Sequence, residues 1–337
     1  MRIGAFLSDQ GDDFLLFLQQ YGVTDVVGGY SAYPDFERRF PPDAGDQSGN
    51  HWEYEELAQL RERVEAHGLH LASLENPLPA WCFDRVILGL PGRDQQLENF
   101  AVTIRNMGRA GIPYVGYNWM ANPVGLRRFS TRTSTTHPGR GGAGTDLLDM
   151  AVLDQAPPFR GRVYTADELW ENYEYFVRAM VPVLEEAGVR MGLHPDDPPV
   201  PSMGGIARIF HSPEGYQRAL DVADSPASAV NLCLGNWTAM GVDIPASIRQ
   251  FGGRGQILYG HAQGVRGTVP RFTECFLDQG DCDYAEIART FDEVGLDTFL
   301  VVAHLPRTVN DDPPQFQGHA FAIGYLAGIM RATGGAP

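Results

Sequence analysis

Four residues whose side chains can bind a metal ion close four apolar segments in the second half of the chain. The intervals between them are 39, 28 and 43 residues, as expected of successive strand–helix units. Imidazole and thiolate are good ligands for divalent transition metals. Any one of them alone is more often a packed or hydrogen-bonded core residue, but the repeated position favours a metal site. The four are His194 (after RMGL), Cys233 (after AVNL), His261 (after ILYG) and His304 (after FLVVA).

The first of these residues continues into the segment HPDDPP, which carries two carboxylates. Proline restricts the backbone, so Asp196 and Asp197 are expected to stay close to the metal. One of them could orient a ligand or transfer a proton; an Asp-Pro turn with solvated acids is the alternative. A Cys-His-Asp hydrolase also stays open, although Cys233 is followed by Leu-Gly-Asn-Trp instead of a nucleophile elbow.

A recurring pattern supplies the elements that must position these residues. Five amphipathic segments end in a glycine followed by a β-rich apolar run, and glycine relieves the left-handed position just past a helix. With three further strand candidates, this makes eight strands alternating with helices, which predicts parallel pairing and a (β/α)8 TIM barrel. A doubly wound sheet competes, but no GxGxxG follows the first strand. The glycines are Gly22, Gly68, Gly111, Gly188 and Gly295, and helical periodicity is clearest at 53–67, 94–110, 167–187, 213–223 and 283–295.

The chain is longer than a minimal barrel of about 250 residues. We predict a single TIM-barrel domain over residues 1–337, with the excess in a lid-like loop at 120–166 that follows the fourth strand and contains FSTRTSTTHPGRGGAGT. Long loops after barrel strands belong to the catalytic face; a disordered surface loop is the alternative. Four arginines in this loop could bind an anionic substrate. They are Arg127, Arg128, Arg132 and Arg140.

Composition excludes several classes of protein. The 337 residues include no lysine, and the 26 basic against 42 acidic side chains give a net charge of −16. A Schiff-base aldolase, a lysine-bound PLP enzyme and a P-loop are excluded, and neither nucleic acid nor an anionic membrane is expected as a partner. The four scattered cysteines, without a signal peptide or a membrane-spanning apolar run, predict a cytoplasmic protein. Its oligomeric state stays open, a homo-oligomer included.

Seven segments spread over nearly the whole chain are similar to one known family. This set, in which LHPDDPP and LGLPGRD are the most specific, resembles the UxuA-type mannonate dehydratases. The resemblance implies a xylose-isomerase-like TIM barrel that uses Mn2+ to remove water from D-mannonate, giving 2-keto-3-deoxy-D-gluconate. It also implies His194, Cys233 and His261 as metal ligands. The segments are GVTDVVGG (22–29), LGLPGRD (88–94), TIRNMGRAGI (103–112), YNWM (117–120), LHPDDPP (193–199), QFGGRGQILYGHAQG (250–264) and GDCDYAEI (280–287).

The chain departs from this family after its last strand. Where the resemblance implies Arg-Pro-Asp-His-Gly-His, the sequence is VAHLPR (302–307), so His304 falls on the family's Asp ligand and Leu305 on the neighbouring His. An imidazole is therefore predicted to replace a carboxylate on the metal. The resemblance implies Mn2+, whereas a set richer in nitrogen and sulfur favours Zn2+, Co2+ or Fe2+.

Dehydration of a sugar acid requires a base beside the carboxylate, and a chain without lysine must use His, Asp, Glu, Tyr or metal-bound hydroxide. The candidates are His319, Asp196 and Tyr117, and Arg307 joins the loop arginines as a carboxylate-binding residue. The expected partner is a small anionic sugar acid or related carbohydrate. A sugar isomerase or epimerase on the same metal-dependent barrel, or a non-catalytic metal or sugar-acid binding protein, are the alternatives.

Overall fold

The computed structural model describes residues 1–7, 11–32, 36–41, 49–121 and 133–334. Eight parallel strands form a closed barrel in which each pairs with the next in sequence and the first with the last. This confirms the predicted TIM barrel. The barrel strands are β1 (Arg2–Phe6), β2 (Asp25–Gly28), β3 (His70–Glu75), β4 (Tyr114–Tyr117), β5 (Arg190–Leu193), β6 (Ser228–Cys233), β7 (Ile257–Ala262) and β8 (Phe299–Val302).

Helices connect the strands, and the five that periodicity predicted begin and end within two residues of the expected positions. The longest helix, Ala166–Ala187, shows why its ends could be predicted. Thr165 and Glu168 form a reciprocal capping box at its start, and Gly188 ends it with φ of 66°, a conformation that favours glycine. The helices are Gly11–Gln20, Phe36–Arg39, Tyr54–Glu65, Asp84–Ile87, Arg93–Ala110, Met150–Leu153, Ala166–Ala187, Pro213–Ala223, Leu234–Met240, Ile244–Ser247 (continued by a π turn, Ile248–Gly252), Tyr284–Glu293 and Phe316–Ala332. Among the described helices, none is long and apolar enough to cross a membrane.

A four-stranded antiparallel sheet accompanies the barrel, and we call it the rim sheet. Its strands lie in the order Gly264–Thr268, Arg271–Cys275, Gly144–Asp149 and Thr133–Pro138. Two of them come from the 120–166 insertion, so this described part of the insertion is strand rather than loop. The other two form a hairpin after β7 that the sequence pattern did not predict. Arg127, Arg128 and Arg132 lie outside the described residues.

The rim sheet is attached to the barrel by apolar packing and by main-chain hydrogen bonds. Leu148, Val265 and Phe272 from the sheet share a buried cluster with Val200 and Met203 from the segment after β5. Beyond β8, the chain pairs with the insertion: Gly144 N donates to Arg307 O at 2.9 Å, and Arg307 N donates to Gly144 O at 2.8 Å. The insertion is therefore fixed to the segment that follows the last strand.

Candidate metal centre

Three of the predicted ligands meet at the carboxyl ends of neighbouring strands. His194 directly follows β5, Cys233 ends β6, and His261 lies one residue before the end of β7. One ligand atom from each lies within 4.8 Å of the other two, and all three residues are buried. The parallel barrel brings them together because it places successive strand ends side by side on one rim.

Local hydrogen bonds decide which ring nitrogen of each histidine can bind a metal. His194 Nδ1 lies 2.8 Å from the carbonyl oxygen of Pro195, to which it can only donate. His261 Nε2 likewise lies 2.9 Å from a carboxylate oxygen of Glu75. These contacts leave His194 Nε2 and His261 Nδ1 as the nitrogens that can bind a metal once they are deprotonated. Together with the Cys233 sulfur they form a nitrogen- and sulfur-rich donor set that fits a divalent transition metal.

The positive charges of the two histidines stabilise the thiolate of Cys233. Burial opposes ionisation of Cys233, but hydrogen bonds and positive charge from His194 and His261 outweigh it and lower the pKa of the thiol to about 6. Burial also opposes protonation of His261, whereas the charge of Glu75 raises the pKa of this imidazole to about 10. The two histidines therefore favour the thiolate form of Cys233, which is the form that binds metals.

Glu75 is a functional residue that the sequence interpretation missed. It ends β3, and its Oε2 accepts hydrogen bonds from Asn231 Nδ2 at 2.7 Å, Tyr259 Oη at 2.8 Å and His261 Nε2 at 2.9 Å. Burial opposes its charge, but the charge of His261 lowers the pKa of Glu75 to about 2. A carboxylate on the outer nitrogen of a ligating histidine fixes the orientation of the ring and increases its basicity. The sequence could have indicated Glu75, because this residue ends its predicted strand just as the predicted metal ligands end theirs.

The space for this hydrogen-bond network depends on Gly116 of β4. A Cβ atom at this position would lie 2.1 Å from Tyr259 Oη and 2.9 Å from Glu75 Cγ. We expect Gly116→Ala to displace Tyr259 from Glu75 and to lower the free energy of unfolding by about 1–3 kcal/mol, the usual cost of overpacking. Urea denaturation measures this change.

Gly324 provides a matched control for that substitution. It lies in the helix Phe316–Ala332, and a Cβ atom there meets nothing within 4 Å. Because alanine suits a helix better than glycine, Gly324→Ala should leave stability unchanged or raise it slightly. Equal stability of the two variants would contradict the packing role of Gly116.

An open cavity of about 280 Å³ adjoins the metal centre. Phe6 connects the two, since it lines the cavity and its ring packs edge-on against His261 with 5.2 Å between centroids. Arg307 lines the cavity and donates from Nη2 to Asp146 Oδ1 at 2.9 Å. The insertion therefore supplies part of the cavity wall through Asp146. The polar lining residues are Asp146, Glu274, His304, Arg307, Gln315 and His319.

The structure does not bring His304 into the donor group. Among the described residues, the group consists of His194, Cys233 and His261. His304 follows β8 with φ of 53°, and its Nδ1 lies 2.8 Å from Glu274 Oε1. The predicted four-residue site is therefore corrected to three donors, because the carboxylate of Glu274 on the rim sheet engages the ring of His304.

Of the three predicted catalytic residues, His319 is the one that reaches the cavity. Its Nδ1 donates to the carbonyl oxygen of Gln315 at 3.0 Å, and its ring packs edge-on against Phe14 with 5.1 Å between centroids. Burial lowers the pKa of this imidazole. His319 is therefore predominantly neutral near pH 7.

Tyr117 and Asp196 lie elsewhere. Gly116 is directed towards the barrel interior, so Tyr117 points into the surrounding helices, where its hydroxyl lies 3.0 Å from that of Tyr173. Burial raises the pKa of Tyr117 well above its usual value. Asp196 Oδ2 accepts from Phe210 N at 2.6 Å, and its Oδ1 lies 3.7 Å from Arg208 Nη1. Neither residue lines the cavity, and the contacts of Asp196 with Phe210 and Arg208 hold the segment after β5 together.

Comparison with known proteins agrees with this geometry. A family model described as D-mannonate dehydratase (UxuA) matches residues 15–158 and 159–335. The chain belongs to the D-mannonate dehydratase family. Mannonate dehydratase 2 from Halalkalibacterium halodurans is 30% identical over 275 residues, which are 73% of this chain and 77% of that protein. The crystal structure of mannonate dehydratase from Streptococcus suis serotype 2 matches with a TM-score of 0.83 and 26% identity, over 100% of this chain and 97% of that one.

More distant structures share only the fold. A xylose isomerase domain protein from Planctomyces limnophilus matches with a TM-score of 0.61 and 14% identity, over 98% of each chain. The resemblance found in seven sequence segments is thus confirmed as membership of the mannonate dehydratase family. This family consists of metal-dependent hydro-lyases, and His194, Cys233 and His261 form the candidate metal centre of this member.

Proposed function

We propose that this chain is a metal-dependent hydro-lyase that converts D-mannonate to 2-keto-3-deoxy-D-gluconate and water. The observation that carries the proposal is a buried His-Cys-His donor group beside a cavity that Arg307 lines, in a barrel of the mannonate dehydratase family. A divalent metal bound there would supply a Lewis acid for the charge that develops when the proton beside the carboxylate is removed.

The residues around the cavity suit the remaining tasks. We assign binding of the substrate carboxylate to Arg307, because guanidinium groups bind carboxylates through paired hydrogen bonds and Asp146 holds this side chain in the cavity wall. We assign removal of the C2 proton to His319. Its Nδ1 donates to Gln315, so Nε2 carries the lone pair that can accept a proton.

We propose Mn2+ as the metal, and Zn2+, Co2+ and Fe2+ are the alternatives to be tested. Three protein donors leave further coordination positions for oxygen atoms of substrate or water, and oxygen ligands suit Mn2+. The donor group itself consists of nitrogen and sulfur, which suits the other three ions better. Metal analysis of the purified protein, followed by reloading of the chelated protein with each ion in turn, decides between them.

The activity test is direct. The purified protein is incubated with D-mannonate and each of the four metals, and formation of a 2-keto-3-deoxy acid is measured. We expect turnover that chelation abolishes and metal restores. Stoichiometric binding of sugar acids without turnover would favour a binding protein instead, and interconversion of sugars without loss of water would favour an isomerase or epimerase.

Arg307 provides a sharper test of how the substrate binds. We expect Arg307→Gln to raise KM for D-mannonate about 10- to 150-fold, because a hydrogen bond to a charged group contributes about 1.5–3 kcal/mol. Metal content should stay at the wild-type level. Steady-state kinetics and metal analysis measure the two effects.

Arg140 is the matched control for that variant. It lies in the insertion, which pairs with the segment that carries Arg307. Its Nη1, however, binds Asp278 Oδ2 at 2.6 Å, and its guanidinium lies over the Phe276 ring at 4.3 Å. It does not line the cavity, so Arg140→Gln should leave KM unchanged. An unchanged KM in Arg307→Gln, or an equal rise in both variants, would contradict the assigned role of Arg307.

A further inference from the structure

Glu274 is a buried carboxylate that the rim sheet brings to the cavity. It lies in the strand Arg271–Cys275, opposite Val265 of the adjacent strand, and is 7% exposed. Its Oε1 accepts from Gln263 Nε2 at 2.9 Å and lies 2.8 Å from His304 Nδ1. The Oε1 atom of Gln263 in turn lies 3.2 Å from the Cys233 sulfur. A buried carboxylate is costly unless it has such partners, and one of its partners is a histidine that faces the substrate cavity.

The backbone of His304 supports a role for its side chain. A residue other than glycine with φ of 53° is in the left-handed region, which few such residues adopt. Conformations of this kind persist where the surroundings impose them and are concentrated at functional sites. The side chain is 23% exposed and lines the cavity with Arg307 and His319. The main chain and Glu274 together hold this imidazole in the cavity wall.

The pairing with Glu274 determines what the ring can do. Nδ1 engages the carboxylate, so a proton passed from the ring to a substrate would leave from Nε2. Glu274 orients the ring through Nδ1, in the way that a carboxylate orients an acid–base histidine in other enzymes. His319 differs, since its Nδ1 faces an uncharged carbonyl. The cavity therefore holds one histidine suited to donate a proton and one suited to accept it.

We propose that His304 is the general acid that protonates the departing hydroxyl, and that Glu274 is its positioning residue. The proposal rests on the proposed function. The proton on C2 passes to His319, and the C2–H electron pair forms the C2=C3 double bond. The C3–O bond breaks with its pair on oxygen, which takes a proton from His304 and leaves as water. The enol product tautomerises to the 2-keto acid, and solvent returns the two histidines to their starting states.

The first test is His304→Asn, because asparagine tolerates the left-handed backbone. We expect wild-type metal content, KM within about threefold, and kcat lower by about 10²- to 10⁴-fold, the usual contribution of an acid–base group. His70→Asn is the control, since His70 begins β3 at the opposite end of the barrel and is exposed. It should keep wild-type kinetics.

A substrate with a better leaving group separates an acid from other roles. Fluoride leaves without needing a proton, so a general acid does not accelerate the reaction of 3-deoxy-3-fluoro-D-mannonate. With this substrate, the rate of His304→Asn should therefore lie within about tenfold of the wild-type rate. His319→Asn should stay slow with both substrates. Glu274→Gln, which leaves the backbone at 304 unchanged, should lower kcat by about 10- to 100-fold with D-mannonate only, and Glu274→Asp should restore part of it.

Each other outcome overturns the proposal. Loss of metal from His304→Asn would make His304 a metal ligand, and an unchanged kcat would remove it from the reaction. If His304→Asn reacted equally slowly with D-mannonate and with the fluoro substrate, the substitution would act on the structure and not on protonation of the leaving group. If wild-type protein does not dehydrate D-mannonate, the proposed function fails, and the role of His304 fails with it; if wild-type protein is active and the variants match it, only the role of His304 fails.

Discussion

Cys233→Ala is expected to abolish dehydratase activity and to lower metal affinity by more than about 100-fold, because loss of an outer partner of a ligand alone costs 10- to 100-fold. The thiolate is the anionic member of the donor group, and alanine leaves only two imidazoles. The barrel should stay folded, since its stability comes mainly from the strand and helix core. Metal analysis after dialysis, activity and circular dichroism measure the three effects on one sample.

Cys82→Ala is the matched control. Cys82 is also a buried free cysteine, but it lies outside the donor group and its sulfur accepts a hydrogen bond from Asn50 Nδ2 at 3.4 Å. Both variants therefore remove one buried sulfur, and only one should lose metal. Full metal content and full turnover in Cys233→Ala would show that the group formed with His194 and His261 is not the metal centre.

Glu75→Gln is the second change for which we expect a large effect. Glutamine keeps an oxygen that can accept from Tyr259 and Asn231, but it removes the charge beside His261 Nε2. Metal affinity should fall about 10- to 100-fold, as for other outer partners of ligating histidines. Titration of the chelated protein with metal measures this directly, and activity at saturating metal should recover in part.

Glu293→Gln tests whether any lost carboxylate has this effect. Glu293 binds Arg249 through both oxygens at the surface, at 2.9 and 2.8 Å, and exposed pairs contribute only about 0–1 kcal/mol. Its metal affinity should equal that of the wild type. If Glu75→Gln also binds metal with wild-type affinity, the carboxylate does not orient the ligand, and the network around Tyr259 is structural only.

The sequence was sufficient for the barrel because its signals are local. Glycine after a helix and an apolar run after the glycine depend on a few neighbouring residues, so strands such as His70–Glu75 could be located to the residue. Once strands are parallel, their last residues must meet, and this alone brings His194, Cys233 and His261 together. The same rule applied to β3 identifies Glu75, the last residue of that strand.

The remaining errors come from contacts that sequence spacing does not encode. His304 ends its apolar run like the others, but its positive φ and the carboxylate of Glu274 place it outside the donor group. Glu274 itself comes from a hairpin that interrupts the strand–helix alternation. Tyr117 was expected at the site, yet strand alternation directs it outwards once Gly116 faces the interior. The positions of these three side chains depend on the residues that pack against them from other parts of the fold.

The main-chain pairing between Gly144 and Arg307 has a consequence for how this enzyme could be altered. The residue that we assign to the substrate carboxylate takes its backbone position from a strand of the insertion, and its side chain takes its direction from Asp146 in the same strand. The insertion is therefore not a separable module. A chimaera that exchanges residues 133–149 for the corresponding segment of a relative would inherit that relative's placement of the arginine, and with it the length of sugar acid that fits between arginine and metal.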